Sequence, residues 1–218
     1  HQGVYIKGRF MISKIVITGG PCGGKSTALE RIKSEFEKIN YKVLIVNETA
    51  TELINSGATM ADCGVVEFQK NLLKMQLAKE ESILGCAKAL EEKYEKILVV
   101  FDRGAMDARA YTTKEEFDKI LSDTNKDIVS LRDRYDAVFH LVTAADGAVE
   151  HYTLSNNSAR SETPKEAVIR DKKLISAWCG HPHLRIIDNQ TDFDGKLNRL
   201  IKEIKASLGE PKPVEIER

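Results

Sequence analysis

The sequence predicts an open α/β fold in three layers, a parallel β-sheet with crossover helices on both faces. Three observations carry that prediction. Apolar, β-rich runs alternate with amphipathic helical stretches along the chain. The first of these runs, Lys14–Thr18, is almost wholly apolar, as a strand covered on both faces should be. A glycine-rich turn then leads from that strand into a helix. The 218 residues suit one such domain and leave little room for a second.

The elements follow in order. After strand one, a helix is expected from Lys25 to about Lys38, with Ala28, Leu29, Ile32 and Phe36 on one face. Strand two is Val43–Asn47, ending at Glu48. A helical region from Thr51 to about Glu92 follows, with breaks near Gly57 and Asp62–Gly64. Strand three is Lys96–Phe101, ending at Asp102. Residues 113–134 read as charged and helical, and strand four is Ala137–Val142. The stretch Thr143–Thr163 is polar, lacks a period and reads as a loop. Pro164 suits the first turn of a helix running to about Cys179. Strand five is Leu184–Ile187. The last helix, about Asp194 to Leu208, carries Leu197, Leu200, Ile201, Ile204 and Leu208 on one stripe and stops at Gly209. This divides the chain into residues 1–10, a leader or appended segment ahead of Met11; 11–208, the domain; and 209–218, a linker with a β-like end.

Composition excludes several function classes. Hydrophobic residues make up 42% and charged residues 30%, so wholesale disorder is not expected. Lys+Arg and Asp+Glu both number 33, giving zero net charge. With no basic stripe and only 6% aromatic residues, no nucleic-acid partner is expected. No apolar run approaches the roughly 20 residues of a transmembrane helix. Four scattered cysteines, Cys22, Cys63, Cys86 and Cys179, argue against a disulfide framework or zinc site and point to a reducing, cytoplasmic setting.

The strongest chemical signal is Gly19–Gly20–Pro21–Cys22–Gly23–Gly24–Lys25–Ser26, which satisfies G-x-x-x-x-G-K-[ST] between a strand and a helix. Glycines let the backbone wrap phosphate oxygens and turn N–H groups inward, and the helix beginning near Lys25 adds its positive end. Lys25 is expected to bridge β- and γ-phosphates, the Ser26 hydroxyl to bind Mg²⁺, and Thr27 to touch the α-phosphate of ATP or GTP. An empty αβ turn is the plain alternative.

A P-loop needs a carboxylate at the end of a neighbouring strand to hold the metal, and Asp102 is that candidate, against a helix cap or surface acid. Motor ATPases of the AAA+ type usually carry Glu next to this Asp to polarise water. Arg103 stands there instead, which leaves a basic group to face a substrate. Glu48 ends strand two on the same sheet edge, where it would accept the proton of a substrate hydroxyl or merely cap the following helix. Arg160, in the polar loop, and Arg170, on the helix after it, fit a closing lid that clamps transferring charge; solvated or ion-paired arginines are the alternative. Asp107, Arg109, His140, His181 and His183 read as structural. Asn189, after strand five, is where base contacts are expected.

Gly19–Thr27, Asn47–Glu48–Thr49–Ala50, Phe101–Asp102–Arg103–Gly104 and the segment from Tyr152 through Trp178 to His183 together resemble one P-loop NTPase family. It is related to the ribosylnicotinamide kinase domain of NadR, and the likeness is closer to a branch in which this domain precedes a CYTH (triphosphate-tunnel) domain. The resemblance spans about Lys14 to Leu208. It implies a five-stranded parallel sheet of nucleoside-kinase type, where a Glu after strand two acts as base and an acid–Arg pair follows strand three. CYTH domains open with E-x-E-x-K, and Glu215–Ile216–Glu217–Arg218 supplies the first part. The resemblance therefore implies a C-terminal CYTH domain beyond this chain.

These readings converge on a Mg²⁺-dependent phosphotransferase that binds ATP and a small-molecule phosphate acceptor. The alternative is a GTP- or ATP-binding switch with slow hydrolysis, acting on an attached CYTH domain or a membrane-trafficking partner. The guanine-reading [NT]-K-x-D is not found, since Asn125–Lys126–Asp127 has the wrong spacing. A vestigial site is disfavoured because Lys25, Ser26 and Asp102 are all intact.

Overall fold

Five strands pair in parallel: β1 Met11–Gly19, β2 Lys42–Val46, β3 Lys96–Asp102, β4 Ala137–Leu141 and β5 Leu184–Ile187. Their order across the sheet is β2-β3-β1-β4-β5. The computed structural model describes residues 11–147 and 162–211. Arg160, His151 and the Glu215–Arg218 tail lie outside the described residues.

Side chains of β1 alternate between the two faces, as the pleat requires. Ile15 and Ile17 enter the core beneath α1 (Lys25–Glu37) and α8 (Phe193–Ser207), with Ile32, Phe36, Leu200 and Ile204. Val16 points the other way, into a second core with Phe101, Leu73, Phe117 and Trp178. That core lies under α4 (Val65–Leu90), α5 (Lys114–Thr124), α6 (Ile128–Arg132) and α7 (Pro164–Ala177). Ile15, Val16 and Ile17 have no exposed surface, so the apolar run of the first strand is matched by cover on both sides. The result is the expected three-layer α/β/α sandwich.

The helical breaks fall at the glycines. Residues 49–90 divide into α2 (Thr49–Asn55), α3 (Met60–Cys63) and α4, separated at Gly57 and Gly64, which adopt φ of 102° and 81°. The charged stretch 113–134 is two helices rather than one. Asn125, left-handed at φ 53°, ends α5, and the Asp127 carboxylate caps α6 by accepting the Ser130 N–H at 2.8 Å. Thr163 and Glu166 form a reciprocal capping box at the start of α7, with Pro164 in the first turn. A 3₁₀ helix at Ala105–Tyr111, which periodicity did not announce, follows β3 directly. Among the described residues, no helix is long and apolar enough to cross a membrane.

Register sets the site. Ile17 pairs with Asp102 and Gly19 with Leu141, so the P-loop leaves the sheet at the same edge as the acid that ends β3. Ligands of open parallel sheets bind beyond this carboxyl edge.

Candidate active site

Gly19 opens the P-loop at φ 152°, and a Cβ there would lie 2.2 Å from the carbonyl oxygen of Leu141. Only glycine fits between the two strand ends. Gly24 is the N-cap of α1 and brings no capping side chain to its first turn. Lys25 is half-buried and Ser26 and Thr27 are exposed on that turn. The Asp171 carboxylate on α7 fixes the loop's entry by accepting the Gly20 N–H at 2.9 Å. The Thr143 hydroxyl donates to the Pro21 carbonyl, and Ala144 N–H donates to the carbonyl of Cys22 at 3.2 Å.

Four of the residues singled out in the sequence meet beside this loop. Lys25 Nζ lies 3.3 Å from Asp102 Oδ1 and 3.6 Å from Glu48 Oε2. Glu48 Oε1 accepts from Arg103 Nε at 3.1 Å. Each of the four side chains is between 9% and 15% exposed, so the charges interact with little solvent screening. Burial works against the charge on Arg103, but Tyr111, Glu48, Asp107 and Asp102 around it raise its pKa above the ordinary arginine value. Glu48 thus stands between the P-loop ammonium and a second cation, and it also starts α2 without making a side-chain capping bond.

Arg103 itself is left-handed, at φ 68°, and donates its N–H to the carbonyl of Ile17 at 3.0 Å. Gly104 follows because a Cβ there would lie 2.5 Å from the Trp178 ring. Asp107 fixes the turn internally, accepting from Gly104 N–H at 2.9 Å, Thr18 Oγ1 at 2.8 Å and Trp178 Nε1 at 2.7 Å. These contacts give Asp107 a structural task.

Among the described residues, two polar sets in this region lack hydrogen-bond partners. Asp102 Oδ1 makes none and faces the Lys25 ammonium, and Arg103 Nη1 and Nη2 make none although the residue is 8% exposed. Both residues border a cavity of about 460 Å³ between α2, α3, α4 and the 3₁₀ helix. That volume falls in the range of small-molecule sites, roughly 300–1,000 Å³. Its walls are largely apolar, with Ile54, Phe68, Leu72 and Leu73, while Glu48 and Arg103 stand at the P-loop end.

Gln69 also borders the cavity and was not singled out in the sequence. It is 3% exposed, its carbonyl oxygen has no partner, and its amide nitrogen reaches only Met60 Sδ, at 3.7 Å. A signal was present. Gln69, Leu73, Gln76 and Glu80 fall on one helical stripe of α4, and polar residues on a buried stripe invite a search for partners.

The remaining predicted residues are placed as follows. Arg170 lines the cavity, stacked 4.3 Å from the Tyr111 ring centroid, donating to the Ala110 carbonyl and, from Nε, to Glu162 at 3.3 Å. Asn189 spends its amide group on the turn after β4: Nδ2 donates to Thr143 O at 2.9 Å and Asp146 O at 2.7 Å, and Oδ1 accepts from Lys196 at 2.7 Å. His140 is buried in β4 against Asp171, and His181 Nε2 donates to the Tyr135 carbonyl at 2.8 Å, both packing roles. Among the described residues, no group of three or more His, Cys, Asp or Glu side chains could hold a metal by itself.

No curated protein matches the sequence. Among solved structures, the deoxyadenosine kinase of M. mycoides with bound dATP superposes with a TM-score of 0.57 and 18% identity, over 88% of this chain and 99% of that one. The same enzyme with bound dCTP gives 0.56 and 14%, over 90% and 100%. At these identities the likeness is one of fold, and it matches the five-stranded sheet of nucleoside-kinase type that the sequence implied. A family model described as an AAA domain matches residues 14–196, most of the chain, and the protein belongs to that family.

Proposed function

We propose that the protein transfers the γ-phosphoryl group of ATP to a hydroxyl of a nucleoside or riboside. The observation that carries the reading is the position of Glu48, between Lys25 and Arg103 and in the wall of a largely apolar cavity. A carboxylate there takes the hydroxyl proton as the acceptor oxygen bonds to the γ-phosphorus and the bond to the departing diphosphate breaks. Lys25 and the P-loop amides hold the β- and γ-phosphates, and the two unpartnered nitrogens of Arg103 face the migrating charge. Gln69 offers its carbonyl and amide to the polar edge of a planar ring lodged between Phe68, Leu72 and Ile54.

The residues present fit Mg²⁺. Asp102 Oδ1 is a buried oxygen with no hydrogen bond, and Ser26 is exposed beside Lys25, so the two would hold an ion whose other ligands are water and phosphate. That ion supplies charge neutralisation on the triphosphate. The fold shared with a deoxyadenosine kinase, and that enzyme's bound dATP, support a nucleoside-type acceptor.

The test is MgATP with a panel of nucleosides and ribosides, followed by ³¹P NMR. Wild-type protein should phosphorylate at least one acceptor, and Glu48→Gln should lose 10²–10⁴-fold in rate at nearly unchanged MgATP affinity. Slow hydrolysis of MgATP or MgGTP with no acceptor phosphorylated would refute the kinase reading. It would favour a nucleotide switch, and such a switch would act on the CYTH domain that the sequence resemblance implies.

A further inference from the structure

The turn that carries Arg103 is held from behind by a buried carboxylate on α4. Glu80 has no exposed surface. Its two oxygens accept the Tyr135 hydroxyl at 3.0 and 2.9 Å, Gln76 Nε2 donates to Oε2 at 3.1 Å, and Arg134 Nε lies 3.4 Å from Oε1. Two of these partners reach on to the turn. The Tyr135 hydroxyl accepts the Ala105 N–H at 2.9 Å, and Gln76 Nε2 lies 3.4 Å from the Arg103 carbonyl oxygen.

The direction of this chain is fixed by chemistry. A phenol has one proton, and an ionised carboxylate only accepts. Tyr135 therefore donates to Glu80 and keeps its lone pairs for Ala105. The ring has little freedom, packed edge-on against Phe101 at 5.3 Å and Trp178 at 5.6 Å between centroids. Burial pushes the Glu80 carboxyl above its usual range, opposed chiefly by the Arg134 charge and the Tyr135 hydrogen bond. A buried carboxylate is unfavourable unless its partners compensate, so its presence calls for a purpose.

Arg103 supplies one. A non-glycine residue at φ 68° is sterically disfavoured and persists where its surroundings over-determine it. Its N–H is held by Ile17, its carbonyl by Gln76, and the next two N–H groups by Asp107 and Tyr135. We propose that Glu80 is a positioning residue: through Tyr135 and Gln76 it locks the Arg103–Ala105 backbone so that the Arg103 guanidinium faces the cavity. Glu80 is not a lining residue of that cavity and takes no part in the chemistry itself. The functional meaning of the lock rests on Arg103 acting in phosphoryl transfer; the lock itself does not.

Two variants test it, Glu80→Gln and Tyr135→Phe, the second sparing the buried carboxylate and the ring. The first readout is the ¹H–¹⁵N signal of Arg103 Nε, identified by its loss in Arg103→Lys and displaced by the bond to Glu48. In Tyr135→Phe it should broaden or move to the position of exposed arginines, while MgATP still shifts the Gly23 and Gly24 amides. The second is the transfer rate with MgATP and an accepted riboside. It should fall 10- to 100-fold at unchanged KM for MgATP, and the same change should add less than threefold in an Arg103→Ala background. An unmoved Arg103 signal in both variants, or a full rate loss on top of Arg103→Ala, overturns the proposal. If wild-type protein phosphorylates no acceptor, the kinase reading fails while the Arg103 signal still decides the positioning role.

Discussion

Asp171 Oδ1 accepts the backbone N–H of Gly20 at 2.9 Å, although the two residues are 151 positions apart. The same oxygen accepts the Thr143 N–H at 3.2 Å and faces His140 Nε2 at 3.0 Å. One carboxylate oxygen thereby pins the start of the P-loop, the turn after β4, and α7. Asp171→Ala leaves two buried N–H groups without their acceptor, each worth about 1–3 kcal/mol. The expected outcome is a stability loss of about 2–4 kcal/mol by urea unfolding and a MgATP dissociation constant raised at least tenfold by calorimetry. Unchanged MgATP affinity would mean that the P-loop keeps its shape without this anchor.

Arg103 separates conformation from charge. Arg103→Gly and Arg103→Ala both remove the guanidinium, so both should lower transfer by about 10²–10³-fold with MgATP affinity within about threefold. Glycine adopts positive φ freely and alanine does not, so Arg103→Gly should be the more stable of the two by about 1 kcal/mol. Equal thermal midpoints for the pair would contradict the left-handed geometry.

On the proposed reading, Gln69 trades stability for recognition. Its buried carbonyl has no partner, and Gln69→Leu replaces the amide with a side chain that suits the apolar wall. The variant should gain about 1 kcal/mol in stability. It should lose at least tenfold in affinity for acceptors that carry a polar ring edge, measured by calorimetry against the same panel of ribosides.

Lys196 gives a pH dependence whose sign can be worked out. It is 3% exposed and donates to Val142 O at 2.6 Å and Asn189 Oδ1 at 2.7 Å. Burial lowers its pKa to about 8 from 10.5, with the charge of Asp171 opposing the shift. Between those values the unfolded chain binds more protons than the folded one, so this lysine makes stability rise with pH from about 8 toward 10.5. Wild type should gain about 1–2 kcal/mol relative to Lys196→Met between pH 8 and 9.5, at up to 1.36 kcal/mol per pH unit. Parallel stability curves for the two proteins across that window would refute the assignment.

What was legible in the sequence shares one property: it is local. The P-loop, the strand-end acids Glu48 and Asp102, and the break glycines Gly57 and Gly64 each announce themselves within a few residues. Register then brings Lys25, Glu48, Asp102 and Arg103 together, as an open parallel sheet requires. The unannounced parts depend on partners far along the chain. Glu80 meets Tyr135 at a separation of 55 residues, and Arg170 meets Ala110 at 60. A charged helical residue with no visible partner reads as solvated, and that is how Glu80 escapes a linear reading; Arg170 could be singled out as a lid arginine, but not its contacts with Ala110 and Glu162. The 3₁₀ helix after β3 was missed for a related reason. Seven residues held by Asp107, Trp178 and Tyr135 need no amphipathic period of their own.

Arg170 and Asp171 are neighbours on α7, yet one borders the cavity beside Arg103 and the other grips the P-loop. Successive helical residues diverge by about 100°, so a single rod touches both compartments with different sides. Any roll of that rod loosens the two contacts together. The shape of the P-loop and the shape of the cavity therefore have a common mechanical axle, and a substitution meant to retune one will be felt by the other.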